Sequence, residues 1–418
     1  MQIFLKKLEQ RSDAFMALRV KDFSLFVIGK LFFTLALQMQ GTIVGLQVYA
    51  ITKDELALGM IGGAEAVPAI LIALFGGWVA DHYNRRIIVL IALSALALLT
   101  GLLLCVSWDI SHVLTIYGPY PIYGIIFFTG VARAFLGPAQ FALLPQTLPS
   151  KDYYKNAISW NSFIWQASMV SGPPMGALFY SYYGLHSAYV IDASLLLVSI
   201  LFFVSMGAKA LPEIKPDVSI VDSLKEGLGF VIGKQEVLWA MTLDMFAVLF
   251  GGAVAMMPAF CDKVLHVGPE GVGLLRAAPA LGSIPMMLLF TYFPIRKQAG
   301  LKMLWSVVGF AASMMVFAYN SSYFWAVVIL AVGGAFDAVS VIIRQTLLQT
   351  LTPEHLKGRV SSVSNMFVSS SNEIGEVESG VAAKALGLQF SVFVGACLSM
   401  VVVGVAYLKA KKLRDLHL

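Results

Sequence analysis

The stretch Gly76–Arg86, GGWVADHYNRR, is a short charged turn set between two long apolar runs. Upstream, from Leu58, LGMIGGAEAVPAILIALFGGWVA is almost wholly apolar or small, and downstream Ile87 to Val106 is apolar again. A helix needs about 20 apolar residues to cross the hydrocarbon of a bilayer. Each flank therefore reads as one crossing, and the turn emerges at a membrane surface.

The same reading extends along the chain. Of 418 residues, 58% are hydrophobic and 13% charged, with mean hydropathy +0.80; a soluble domain carries about 25% charged residues. Twelve spans can be laid down, at 24–50, 58–80, 87–107, 120–145, 157–182, 187–207, 237–260, 271–292, 302–319, 323–350, 360–384 and 389–409. The expected fold is an all-α membrane protein of twelve transmembrane helices in two pseudo-symmetric six-helix bundles. The 36 glycines suit close helix packing in lipid. Residues 1–22 are charged and amphipathic and lack the pattern of a cleavable signal. Cys105, Cys261 and Cys397 stand alone in apolar runs, which argues against disulfide, metal and thiol chemistry.

A net charge of +5 invites a nucleic-acid or lipid-surface reading until the basic residues are placed on the spans. They gather in alternate loops, including Arg85, Arg86, Lys151, Lys209, Lys302, Lys357, Arg359 and the C-terminal tail, whereas Lys53 and Lys263 fall on the other side. The positive-inside rule then predicts both termini in the cytosol. The basic excess reports topology, and no nucleic-acid partner is expected.

The polar segment up to Lys234, AKALPEIKPDVSIVDSLKEGLGFVIGK, divides the chain into bundles 1–207 and 236–418 joined by a linker, 208–235. Ser219 or Asp222 is a plausible cap for a short amphipathic helix there. A repeat supports the division: GGAEAVPA at 62–69 returns as GLLRAAPA at 273–280, and QTLP at 146–149 as QTLT at 349–352. Both echoes pair spans six apart.

Two six-helix halves, a polar central loop and GGWVADHYNRR after span 2 together resemble the major facilitator superfamily, whose loop motif is Gly-x-x-x-Asp-Arg/Lys-x-Gly-Arg/Lys-Arg/Lys. Gly77, Asp81, Arg85 and Arg86 match it; His82 and Asn84 depart from it. Asn tolerates a left-handed turn, so the bend is expected to survive at Asn84. RAFLGPAQFALLP at 133–145 resembles the family's span 4 arginine motif, and SGPPMGA at 171–177 its span 5 motif associated with exporters. LALGMIGGAEAVPAI at 56–70, LDMFAVLFGGAVAMMP at 243–258, LHVGPEGVGLLRAAPALG at 265–282 and SSSNEIGEVESG at 369–380 are similar to the enterobactin-exporter-like branch. The resemblance implies proton-coupled export of a siderophore or drug-like amphiphile across the bacterial inner membrane. The implied partners are the small-molecule substrate, protons and the lipid bilayer, with the chain expected as a monomer. It also implies a cytosolic gate of Gly77, Asp81, Arg85 and Arg86, with Arg359 as the nearest partner for Asp81 and Asp244 as a further gate residue.

Charges inside the spans carry the chemistry. A Lys, Arg or Asp at mid-membrane costs about 2.5–3.5 kcal/mol on insertion scales. Lys30, Glu65, Arg133, Asp192, Asp244, Arg276, Asp337, Arg344, Glu373, Glu376, Glu378 and Lys384 must therefore mostly face a cavity or one another. Asp192, Arg344 and Lys384, near predicted span ends, read first as static or interfacial charges. Glu65 is the first candidate for proton coupling, and a static polar lock is its alternative. The repeat places Arg276 at the corresponding position of span 8. Glu373 and Glu376, three apart on one helical face, form a second protonation candidate. Arg133 resembles the superfamily arginine linked to proton transfer, and could equally anchor an anionic substrate or pair with Glu65.

Gln38, Gln40, Gln140, Asn161, Trp165, Gln166 and Asn365, with Arg276, suggest an amphiphilic substrate cavity, although amides also lock helices together in lipid. No GxxxxGK[ST], Ser-His-Asp or HExxH pattern is present, so neither enzymatic activity nor a cofactor is expected. A uniporter or importer of a metabolite and a non-transporting scaffold are the other readings of the same fold.

Overall fold

The computed structural model describes residues 15–108, 112–209, 220–293, 295, 298–353 and 356–416. The expectations for the segment before Phe15 and for the middle of the linker with the Ser219 cap lie outside them.

The described residues form twelve long helical spans: α1 (Lys21–Thr52), α2 (Glu55–His82), α3 (Arg85–Ser107), α4 (Tyr120–Leu143), α5 and α6 within Tyr154–Val204, α7 (Gln235–Leu265), α8 (Pro269–Tyr292), α9 (Ala299–Ala318), α10 (Tyr323–Leu351), α11 (Lys357–Leu386) and α12 (Leu388–Lys409). Among the described residues nine helices, with Tyr154–Val204 counted once, are long and apolar enough to cross a bilayer. Helices α2 and α11, which carry Glu65, Glu373 and Glu376, complete the set. Helix Ile220–Gly233 belongs to the linker and packs on α11, where a Cβ at Gly227 would come 3.0 Å from the Arg359 carbonyl.

The junctions follow local chemistry. Helix α1 ends at Lys53 in the left-handed region (φ 51°), and Asp54 caps α2 by accepting from the Leu56 N–H at 3.2 Å. The loop expected between spans 5 and 6 is a single residue, Gly184, at φ 81°. Gly387, at φ 88°, does the same work between α11 and α12. Neither glycine has an atom near where a Cβ would stand, so both are chosen for φ and not for space. They are spaced along the chain as QTLP is from QTLT, which extends the repeat into backbone geometry.

Packing repeats as well. Pro68 of α2 lies on Gly130 of α4, and Pro279 of α8 lies on Gly334 of α10. Elsewhere in the first half Gly172 and Gly176 of α5 admit Gln38 and Met39 of α1, and Gly29 of α1 admits Phe203 of α6. In the second half Gly375 of α11 meets Leu249 of α7, and Gly395 of α12 meets Phe250. A side chain at such a crossing would force the helices apart.

The halves meet crosswise. Helix α2 lies on α11, where a Cβ at Gly59 would stand 2.6 Å from the Glu376 carbonyl oxygen, and α5 lies on α8, where a Cβ at Gly273 would stand 2.6 Å from Pro174 Cα. At the face bearing the 53–55 turn, three ion pairs join the halves: Lys53 with Asp262 at 3.0 Å, Glu55 with Lys263 at 2.5 Å and Asp54 with Lys384 at 2.9 Å. Tyr49 adds a hydroxyl donor to Asp262 at 3.0 Å. At the face bearing the 81–86 turn, no ion pair links the halves among the described residues.

Candidate functional site

Five ionisable side chains converge where the halves meet. Glu65 lies ten residues into α2, about 15 Å along the helix axis from Glu55. It forms an ion pair with Arg133 of α4. Local packing enforces the meeting, because Pro68 and Gly130 touch one turn from each partner and leave no room for a side chain between the helices. From the second half, Arg276 of α8 donates to the Gly41 carbonyl of α1 at 3.1 Å. Glu373 and Glu376 of α11 lie within electrostatic reach of Arg133, and Glu376 also of Arg276. Gly62 lets Glu376 sit against α2, since a Cβ there would come 2.5 Å from its Oε2. Oε2 of Glu373 is buried and has no hydrogen-bond partner.

The cluster thus holds three carboxylates and two guanidinium groups. With every group ionised it carries one net negative charge in a desolvated place, which is costly. One proton on a carboxylate would bring it to neutrality. Of the sequence candidates, Glu65, Arg133, Arg276, Glu373 and Glu376 are brought together here.

The uncharged candidates divide. Gln166 of α5 reaches across to α8, donating to Ser283 Oγ and Met287 Sδ at 3.2 Å each. Trp165 and Asn365 are exposed, Trp165 at 44%. Asn161 accepts from the Lys30 ammonium at 2.6 Å. Gln40 is buried and donates to Thr100 Oγ1 at 2.7 Å and to Asp192 Oδ2 at 3.1 Å. Gln38 packs against Gly172, and Gln140 is buried in α4 with an unpartnered Nε2. Gln38, Gln40 and Gln140 are thus placed in helix contacts within their own half.

Asp192, expected near a span end, is fully buried in the first bundle. Asp244 is likewise buried and pairs with Arg344 at 3.2 Å, and Arg344 donates to Ser364 Oγ at 3.3 Å. Asp337 faces the same arginine from the preceding turns of α10.

The 76–86 turn differs in detail from its reading. Gly76, not Gly77, makes the close approach, to the Ala134 backbone of α4, while nothing crowds Gly77. Asn84 is not left-handed: at φ −62° it is the extended cap of α3, accepting from Arg86 N–H and Ile87 N–H. Arg85 donates to the carbonyls of Ala80 and Ala142, and Arg86 to those of Phe203 and Val204 at 2.9 and 2.5 Å. These arginines tie α3 to the ends of α4 and α6. Asp81 is exposed and makes no ion pair among the described residues. Arg359, expected as its partner, pairs with Glu226 of the linker helix instead.

Three features escaped the sequence reading: the Lys30–Asn161 contact, the Asp192–Gln40–Thr100 network and the three pairs at the 53–55 face. Only the last had a signal, the opposed charges of Lys53-Asp54-Glu55 and Asp262-Lys263 in turns on one side.

The family model described as Major Facilitator Superfamily matches residues 26–376. The chain belongs to the Major Facilitator Superfamily. Among curated members it is similar to the uncharacterized MFS-type transporter YfiS of Bacillus subtilis (strain 168), 24% identical over 395 residues, 90% of this chain and 88% of YfiS. It is also similar to the enterobactin exporter EntS of Escherichia coli O1:K1 / APEC, 24% identical over 335 residues, 78% of this chain and 77% of EntS. Among solved structures, a bacterial homolog of the human lysosomal transporter Spinster, in an inward-facing and unoccupied conformation, superposes with TM-score 0.73 at 13% identity, covering 94% of this chain and 98% of that one. A POT family transporter in complex with 5-aminolevulinic acid gives TM-score 0.73 at 10% identity, covering 94% and 96%. As a major facilitator the chain is a multi-pass transporter of a small molecule, and at these identities the solved structures speak for the fold alone.

Proposed function

We propose that this transporter exports an amphiphilic small molecule, siderophore-like or drug-like, in exchange for protons by alternating access. The observation that carries the reading is the cluster of Glu65, Arg133, Arg276, Glu373 and Glu376, built from both halves and one proton short of neutrality. Rocking of 1–207 against 236–418 separates α2 from α11 and changes which arginine faces which carboxylate. Proton binding then biases the two arrangements differently, which is the condition for coupling. Glu373 is the group assigned to release and take the proton, because its Oε2 is buried without a hydrogen-bond partner.

The placement of basic loops supports a cytosolic 81–86 face, with the termini on that side, in a bacterial inner membrane. The described arrangement is then closed outside by the three ion pairs and receptive from the cytosol. Relatedness to EntS favours export, and siderophores as the first substrates to try.

The test is transport in proteoliposomes. In inside-out orientation an imposed pH gradient should drive substrate uptake, and Glu373→Gln should leave exchange but abolish the response to the gradient. Uptake indifferent to the gradient in the unmodified protein sinks the coupling. A metabolite uniporter on the same fold would show flux without proton movement, lost on Arg133→Ala.

A further inference from the structure

Lys30 is a cation that the coupling cluster leaves unused. It lies in α1, and its ammonium donates to Asn161 Oδ1 of α5 at 2.6 Å. No charged group among the described residues acts on it, whereas Arg133, Arg276 and Arg344 each have a carboxylate at hand. An ammonium has three N–H donors, and a charge without a counter-ion inside a membrane span is expensive.

Helical geometry says which way Lys30 faces. It precedes Gly41 by about three full turns, so the two share a stripe of α1. Gly41 receives the Arg276 side chain and Gly45 faces Pro258, both from the other half. On α8 the stripe of Arg276 continues through Ser283 to Met287, and these two meet Gln166 of α5. Lys30 thus lies on the inter-half stripe of α1, displaced from the cluster toward the 81–86 face, where no ion pair among the described residues links the halves. Trp165, one turn from Asn161, is 44% exposed and offers an aromatic surface nearby.

We propose that Lys30, steadied by Asn161, is a recognition site for the acidic group of an amphiphilic ligand entering between the halves. The chemistry sought is a carboxylate, sulfonate, phosphate or ionised phenol on a hydrophobic body. Asn161 holds the ammonium on the inter-half stripe with one hydrogen bond and leaves its remaining donors for the anion. The inference rests on the space between the halves being the transport path, and it specifies the charge of what travels there.

The test uses purified full-length protein in phosphatidylcholine nanodiscs, titrated with anilinonaphthalene sulfonate and with uncharged phenylnaphthylamine. Loss of a hydrogen bond to a charged group predicts that Lys30→Gln weakens the sulfonate about tenfold while the neutral dye holds. Lys30→Arg should keep the sulfonate. An unchanged sulfonate affinity, or an equal loss for both dyes, overturns the site. Should Lys30→Gln not fold, Asn161→Ala carries the same comparison, with a smaller loss confined to the sulfonate. Repeating the titration with phosphatidylglycerol in the nanodisc distinguishes the source of the anion. Displacement of the sulfonate dependent on Lys30 identifies a lipid headgroup, and its absence a free solute; either keeps Lys30 as an anion site. A dye ratio indifferent to Lys30 leaves gradient-driven transport standing, whereas failure of the Glu373→Gln test strikes transport coupling without touching the dye ratio.

Discussion

The two halves place charge at matching positions and with opposite sign. In the first half Glu65 stands one turn before Pro68, and Arg133 one turn after the glycine that Pro68 packs on. In the second half Arg276 stands one turn before Pro279, and Asp337 one turn after Gly334. Backbone packing is repeated, yet the acid has become a base and the base an acid. The first pair is closed upon itself. The second is open: Arg276 reaches α1 and the field of Glu376, and Asp337 turns toward Arg344. A duplicated scaffold thus pairs its acid with its base in one half, while in the other the base reaches across to α1 and the acid turns to Arg344 of its own helix.

The comparison breaks most severely at Arg133. Arg133→Gln leaves Glu65 without its partner and should cost about 2 kcal/mol, the scale of a charged hydrogen bond rather than of a fully buried pair, since the Arg133 side chain is 34% exposed, read as a fall in thermal unfolding temperature together with loss of transport. The double variant with Glu65→Gln should recover the stability and not the transport. Asp337→Asn should cost clearly less than Arg133→Gln, because Asp337 shares Arg344 with Asp244. Equal losses would mean that Arg344 depends on Asp337 as much as Glu65 depends on Arg133.

The glycine contacts sharpen it further. Overpacking costs about 1–3 kcal/mol. Gly334→Ala should cost more than Gly130→Ala, because the new methyl would stand 2.1 Å from the Pro279 carbonyl oxygen in one case, and 2.7 Å from Pro68 Cγ and 2.9 Å from the Glu65 carbonyl oxygen in the other. Denaturation of the two variants in detergent checks the order. The smallest effect belongs to Asp81→Asn, which removes no ion pair among the described residues and should change stability by less than about 0.5 kcal/mol.

Much of this architecture is legible in the sequence, because membrane crossing demands long apolar runs, and the proline echoes at 62–69 and 273–280 fall where helices truly cross. Convergence of Glu65 with Arg133 is also legible in kind, since charges within spans must find company. The partner of Arg359 was not, because it came from Ile220–Gly233, a helix whose docking no periodicity reports. Nor was the depth of Asp192: the span beginning at 187 looked interfacial there, while the kink at Gly184 lets α6 run inward with Asp192 against Gln40. Pairing across halves depends on how two rigid bodies meet, and a linear pattern holds no information about that angle.

The fastening at the 53–55 face has a different consequence for how the protein answers its surroundings. Burial pushes the Asp54 carboxyl up, but the Lys384 ammonium and the Leu56 N–H more than reverse it and hold it below its ordinary 3.8. A carboxylate lowered in this way contributes fully above that value and is lost only as the pH falls below it. Between pH 5 and 8 Asp54 should therefore not titrate, and cysteine labelling at that face, in a background without the native thiols, should be the same at both ends of the range. The pairs are largely exposed, with Lys53 at 59% and Lys384 at 54%, and such pairs contribute about 0–1 kcal/mol each. Dissolved ions weaken them, since the screening length falls to about 10 Å at 0.1 M salt and about 3 Å at 1 M. The ionic strength of the medium bathing the 53–55 face thereby becomes a control on how often this fastening between the halves lets go.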